Sequence, residues 1–153
     1  MRLVLLGWPH LPRSWKNDIA YAARDLGWRV ANLQPDACTT RDVVGACRGA
    51  DWLIWARTHR HDPAGDIAGM LRTVEASGCR TAGVHLDLYW GVPNRERQIG
   101  QHPWWTCQTV WTADGGVRDW TGRGVNHRWL VPPAPDRFAG RGVPRPEMTA
   151  DVI

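Results

Sequence analysis

Four short apolar runs, Leu3 to Leu6, Val30 to Leu33, Trp52 to Trp55 and Thr81 to Val84, alternate with segments of helical periodicity. Strands that are apolar nearly throughout need both faces covered, which is the requirement of a parallel sheet packed between helices. The pattern therefore predicts an α/β fold: a Rossmann-like open parallel sheet with helices on both faces, in one domain. Right-handed crossovers bring the carboxyl ends of such strands to one edge, where ligands bind. His10, His59, His61, His85 and Asp87 all fall just past the ends of these runs. Five acid, base or hydrogen-bonding groups are thereby expected on one edge.

Local signals set the elements between and beyond the runs. Ser14 suits a helix N-cap, with Trp15, Ile19, Ala22, Ala23 and Leu26 following at helical spacing and Gly27 as the stop. Thr39 or Thr40 can cap a second helix carrying Val43, Val44 and Cys47 on one face. A third helix is expected from about Ala64 to Ser77, with Ile67, Leu71 and Val74 inward. After Asp87 come a loop and a short helix, then a fifth strand over Gln108 to Thr112. A helix opened by Asp114 over Ala113 to Thr121 and a last strand over Asn126 to Val131 complete the expectation. Residues 136–153 are rich in proline and glycine, as a linker is, and Asp151-Val152-Ile153 reads as the start of another strand. The domain is thus placed at residues 1–135.

Composition removes several classes of function. The net charge is +4, but of 19 basic residues only Lys16 is lysine, and the arginines form no stripe. A nucleic-acid partner is therefore not expected. Cys38, Cys47, Cys79 and Cys107 show neither CxxC nor finger spacing, which favours buried, reduced thiols and a cytoplasmic setting. No apolar stretch approaches the ~20 residues that span a bilayer. The first turn, Gly7 to Ser14, lacks both G-x-G-x-x-G and G-x-x-x-x-G-K-[ST], and Pro9 and Pro12 remove amides a phosphate cradle would use.

The remaining chemistry lies in the loops. His10 either faces the crevice as donor or base, or is an exposed loop histidine. Thr58-His59-Arg60-His61-Asp62 invites a metal reading, but no third ligand is evident; a solvated loop or one histidine in a ligand pocket fits better. His85-Leu86-Asp87 carries the most weight. Alternation puts both side chains on one side of extended backbone, where a carboxylate and an imidazole can abstract or orient a hydroxyl proton; the alternative is an Asp that caps the next turn and a His satisfied by backbone. Trp8, Trp90, Trp104 and Trp105 stand in loops; packing under the loops is the safer reading for any one of them, while together they favour a binding crevice, because a flat indole stacks on a flat or sugar-like ligand. Asp114 caps a helix or sits at an anion-binding turn.

Three segments, Gly83-Val84-His85-Leu86-Asp87-Leu88-Tyr89-Trp90, Thr109-Val110-Trp111-Thr112-Ala113-Asp114-Gly115-Gly116 and Gly124-Val125-Asn126-His127-Arg128-Trp129-Leu130-Val131-Pro132-Pro133-Ala134, resemble the N-terminal half of CgeB-like, GT-B type glycosyltransferases. The resemblance covers roughly residues 80–135 by motif and the rest by strand order. It implies the acceptor-side domain of a two-domain enzyme that moves a sugar from a nucleotide-sugar to a hydroxyl acceptor. The nucleotide-sugar would be held by a C-terminal donor domain, and the present domain would bind no cofactor or metal and would not act alone. Asp87 is then the leading base if the enzyme inverts, with His85 or His59 as rivals; His10, His59, Trp8, Trp90 and Asp114 would contact the acceptor. The alternative is a non-catalytic module whose tryptophan-lined crevice holds a protein or glycan. A nucleotide-binding regulatory domain is disfavoured by the absent glycine-rich loop.

Overall fold

The computed structural model describes residues 1–7, 14–57, 61–114 and 119–130. Six strands, β1 (Arg2–Leu6), β2 (Arg29–Leu33), β3 (Trp52–Ala56), β4 (Arg80–His85), β5 (Thr109–Thr112) and β6 (His127–Trp129), form one sheet in the order β2-β1-β3-β4-β5-β6. Every pair is parallel. This is the expected Rossmann-like α/β architecture. The chain runs from β1 outward to β2 and then crosses back to β3, so the topological switch point lies between β1 and β3.

Helix α1 (Trp15–Asp25) covers one face, with Ala20 and the partly buried Trp15 and Ile19 against Leu5, Ile54 and Ala56. Ser14 caps it, and Gly27 at φ 77° supplies the left-handed turn that ends it. Helices α2 (Thr40–Cys47) and α3 (Ile67–Ala76) lie side by side on the other face, burying Val43, Met70, Leu71 and Val74 against Val4, Leu6, Leu53 and Trp55. Thr39 and Asp42 cap α2 reciprocally. Among the described residues no helix is long and apolar enough to cross a membrane.

Helix α3 starts three residues later than its periodicity predicts. The Ala64 backbone is engaged in a bridge to residues 38–40, through Thr40 N–H to the Ala64 carbonyl at 2.9 Å and Ala64 N–H to the Cys38 carbonyl at 3.2 Å. The helix therefore begins only after Asp66, whose carboxylate caps Gly69 N–H at 2.9 Å. The helix expected from Ala113 to Thr121 is not found among its described residues: Asp119 and Trp120 are non-helical, and a 3-10 turn occupies Thr121–Arg123. The fifth and sixth strands are shorter than expected by one and two residues at their ends, with Val131 outside the described residues.

Between β4 and β5 the described elements are short helix α4 (Pro93–Glu96) and a 3-10 turn at Pro103–Thr106. Indole rings take the place of a long covering helix. Trp104, 1% exposed, packs edge-on to Trp105 at 4.8 Å between centroids. Trp105 stacks towards Trp120 at 6.0 Å, and Trp120 stacks on His127 at 4.0 Å. Trp104 and Trp105 are thus packed under the loops, the reading that holds for each of them singly. A connection with so little helix needs large rings to bury the sheet beneath it.

Candidate functional site

The carboxyl ends of β3 and β4 open on a cavity of about 430 Å³. Arg57, the first residue past β3, meets Asp62 in a two-point pair, Nε to Oδ1 at 2.8 Å and Nη2 to Oδ2 at 3.1 Å. His102, which precedes the 3-10 turn, donates from Nε2 to Asp62 Oδ2 at 3.1 Å, while its Nδ1 accepts Trp104 N–H at 3.0 Å. That backbone bond fixes the tautomer. Both ring nitrogens of His102 are engaged, so it holds Asp62 rather than standing as a free base. Partial burial pushes the Asp62 carboxyl up, but hydrogen bonds from His102 and Arg57, with the Arg57 charge, outweigh it and hold the group well below the usual carboxylate range.

Around this ion pair the cavity is lined by Tyr89, Trp105, Gln98 and Gln101. Burial pushes the Tyr89 phenol up to about 12, so its hydroxyl keeps its proton. The wall combines an ionised carboxylate, a guanidinium, two amides, a phenol and an indole. Asp62 Oδ1 receives a single described bond and has a lone pair to spare. Such a surface can accept and donate hydrogen bonds to several hydroxyls while aromatic rings carry an apolar face.

His85 ends β4 and is 7% exposed, with its ring edge-on to Tyr89 at 5.1 Å. Its Nδ1 accepts the Asp87 N–H at 3.0 Å, which leaves the proton on Nε2. Burial drives the imidazole down to about 4; Asp87 opposes that shift, and the Arg95, Arg57 and Lys16 charges add to it. At neutral pH His85 is therefore an uncharged Nε2–H donor. Asp87 meets the His85 ring through its backbone amide, and its charge also acts on that ring. The strand stops at His85, so alternation no longer applies two residues on, and the chain folds back through the Asp87 amide. The Asp87 carboxylate is 54% exposed and paired with Arg95 at 3.0 Å.

Asp114 is buried, and its carboxylate accepts Tyr89 N–H and Trp90 N–H, each at 2.9 Å to Oδ1, and the Thr112 hydroxyl at 2.7 Å. It ties β5 to the loop after β4 and does not line the cavity. Trp90 is half-buried, between the Trp120 ring at 5.6 Å and the Arg123 guanidinium at 5.3 Å, and also lies off the cavity wall. Trp8, His10 and His59 lie outside the described residues, and His61 is exposed. Among the described residues no group of three histidine, cysteine or acidic side chains is placed to hold a metal.

Of the cavity's polar residues, only Asp62 stands out in the sequence, and there as a possible metal ligand. His102 and Asp62 are 40 residues apart, and no local pattern joins them. The usable signal was positional: Arg57 and Asp62 follow directly on the third apolar run.

His85 makes stability pH-dependent in a defined window. Its folded pKa lies near 4 and its unfolded value near 6.5, so the unfolded chain binds the extra proton between them. Stability from this group is complete above about pH 6.5 and falls as pH drops towards 4, by up to about 3 kcal/mol. Asp62 acts in the same direction at lower pH, its contribution being present above about pH 3.9 and lost below. Urea unfolding at several pH values should show this decline, and substituting His85→Phe should remove the upper part of it. A stability profile that is flat from neutrality to pH 4 contradicts the assignment.

No family model matches the chain, and no curated protein matches it. Among solved structures, the pyridoxal-5'-phosphate dependent protein YhfS from Escherichia coli aligns over 54% of this chain at 15% identity, with a TM-score of 0.36. The chain covers 22% of the length of that protein.

Proposed function

We propose that this chain is the acceptor-binding half of a glycosyltransferase, holding a hydroxyl-rich acceptor in the cavity at the carboxyl ends of β3 and β4. The observation that carries the reading is the Asp62 carboxylate, kept ionised by Arg57 and His102 on a wall that also presents two glutamine amides and Tyr89. Ionised carboxylates and amides recognise hydroxyls, and the ring faces match the apolar faces of a sugar. The nucleotide-sugar donor belongs to a second domain, and Asp87, two residues past β4, is the group for proton abstraction in an inverting reaction once a substrate displaces Arg95.

A second reading, a binding module without turnover, draws on one specific observation. His102 and His85 both have their Nδ1 lone pair engaged by backbone amides, so neither imidazole is free to act as a base. The two readings share the cavity and differ in turnover once a donor domain is supplied.

Asp62→Asn removes the charge and keeps the shape. A charge-assisted bond of about 1.5–3 kcal/mol predicts saccharide affinity reduced roughly 10- to 100-fold. Calorimetry with a panel of mono- and disaccharides would measure this, with Gln101→Ala as a milder variant that spares the ion pair. Nucleotide-sugars are expected not to bind the chain alone. Binding of a nucleotide-sugar with no binding of any saccharide overturns the proposal.

A further inference from the structure

Arg57 meets Asp62 through one edge of its guanidinium only. Nε and Nη2 each spend one N–H there, at 2.8 and 3.1 Å. The other N–H groups, both on Nη1 and the second on Nη2, have no partner among the described residues. A guanidinium is planar, so its Nη1–Nη2 edge is a second fork of two parallel donors, turned away from the carboxylate that holds the first. The side chain is part-buried and lines the cavity of about 430 Å³ at the ends of β3 and β4. That volume lies within the ~300–1,000 Å³ typical of small-molecule sites.

The fork is held still. The Arg57 N–H donates to the Val84 carbonyl at 3.1 Å, which ties its backbone to β4. Asp62 is fixed in turn by His102, and His102 by the Trp104 N–H; the Trp104 ring is itself pinned to the Trp55 carbonyl. A guanidinium fixed in this way loses little freedom when a second oxyanion arrives. Its charge also reaches past Asp62. Among the charges acting on the Tyr89 phenol, on the cavity wall, those of Arg57 and then Arg95 come first, ahead of Asp87 and Asp114. The wall at Tyr89 is therefore electropositive on balance, although Arg57 is paired.

The remaining polar groups suit hydroxyls. Gln98 spends an amide N–H on the Asn94 carbonyl at 2.8 Å and keeps its oxygen, and Asp62 Oδ1 keeps a lone pair. These oxygens accept, whereas the Arg57 fork only donates. One hydroxyl oxygen matches one arm of that fork, and a carboxylate matches both at once.

We infer, on the saccharide reading of this cavity, that the Nη1–Nη2 edge of Arg57 binds a carboxylate, so that the ligand is an acidic sugar whose hydroxyls meet Asp62 and the glutamines. A phosphate monoester carries about 1.5–2 negative charges at neutral pH. Beside ionised Asp62, the single charge of a carboxylate is repelled less.

Calorimetry on the full chain compares sugars in matched pairs: glucose with glucuronate, galactose with galacturonate, mannose with mannuronate. The members of a pair differ only at C6. In the pair whose ring fits, the acid should bind roughly 10- to 100-fold more tightly than the neutral sugar, as a charge-assisted contact provides. The matching uronamide, uncharged and of the same shape, should fall back to the affinity of the neutral sugar. Arg57→Lys keeps a cation beside Asp62 but has no fork, and it should erase the preference for the acid within the pair. If that variant does not fold, the uronamide comparison on the unmutated protein still decides. Equal affinity for acid, amide and neutral sugar overturns the inference and leaves the hydroxyl cavity standing. A sugar phosphate bound more tightly than the uronate overturns the carboxylate assignment. No binding of any sugar, neutral or acidic, overturns both the inference and the saccharide reading beneath it.

Discussion

Replacing Asp114 with alanine should destabilise the protein by about 3–5 kcal/mol and remove ligand binding at a cavity that Asp114 does not touch. Its buried carboxylate accepts two backbone N–H groups, from Tyr89 and Trp90, and the Thr112 hydroxyl. The Thr112 oxygen in turn accepts from Asp114 N–H and meets His127 Nε2 at 2.9 Å. Alanine leaves these donors buried without an acceptor, where a charged one had served several at once. Asp114→Asn should be milder than alanine, since Oδ1 can still accept the Tyr89 and Trp90 N–H groups and only the Thr112 hydroxyl must turn. Tyr89 is the first residue the carboxylate holds, and Tyr89 lines the cavity, so the wall should lose its shape. Denaturant unfolding gives the stability change, and calorimetry the loss of binding. A fall under about 1 kcal/mol would show that the loop is held by other contacts.

Gly83→Ala should cost a comparable amount, about 3–4 kcal/mol, for a different reason. A Cβ at residue 83 would sit 2.7 Å from Trp104 Cε2 and 2.9 Å from Cζ2, inside a ring that is 1% exposed. The indole is also pinned, donating from Nε1 to the Trp55 carbonyl at 3.1 Å. It cannot yield by a few tenths of an ångström without losing that bond. Close packing turns one added methyl group into a displaced ring. Pairing the change with Trp104→Phe, which removes the colliding atoms, should recover part of the loss, so the two changes should be strongly non-additive. Gly45→Ala is the control: Gly45 lies within α2 with nothing within 4 Å of an added Cβ, and alanine there should be neutral or stabilising.

Where local rules governed, the fold was legible. The first four strands and the first two helices follow from apolar runs, capping residues and terminal glycines, all of which act within a few residues. Errors arose where a backbone or side-chain group was committed far along the chain. Ala64 joins a bridge to residues 38–40, so the third helix begins late. Asp114 looks like a helix cap in its own neighbourhood, yet its carboxylate serves amides 24 and 25 residues earlier. Trp104 and Trp105 stand in a connection expected to hold only a loop and a short helix, but nothing local says that their rings fold back onto the sheet.

Parallel strands direct attention to their carboxyl ends, and a cavity lies at the ends of β3 and β4, but its lining was hardly legible. His85 was singled out because a histidine closing an apolar run lies on that edge; it ends β4 and is not part of the cavity wall. Its role changed because the backbone amide of Asp87 takes one ring nitrogen and burial removes the charge. The partnership of Arg57, Asp62 and His102 depends on a loop and a 3-10 turn meeting in space, which periodicity cannot encode.

Saccharide titration into nitrogen-15 labelled protein, with every amide followed, reads out the hydroxyl cavity residue by residue. Saturable shifts are expected at the side-chain amides of Gln98 and Gln101, the Trp105 indole and the backbone around Arg57, Asp62 and Tyr89, all lost in Asp62→Asn. No shift with any saccharide, or shifts centred away from the carboxyl ends of β3 and β4, would contradict a hydroxyl-binding role for the cavity.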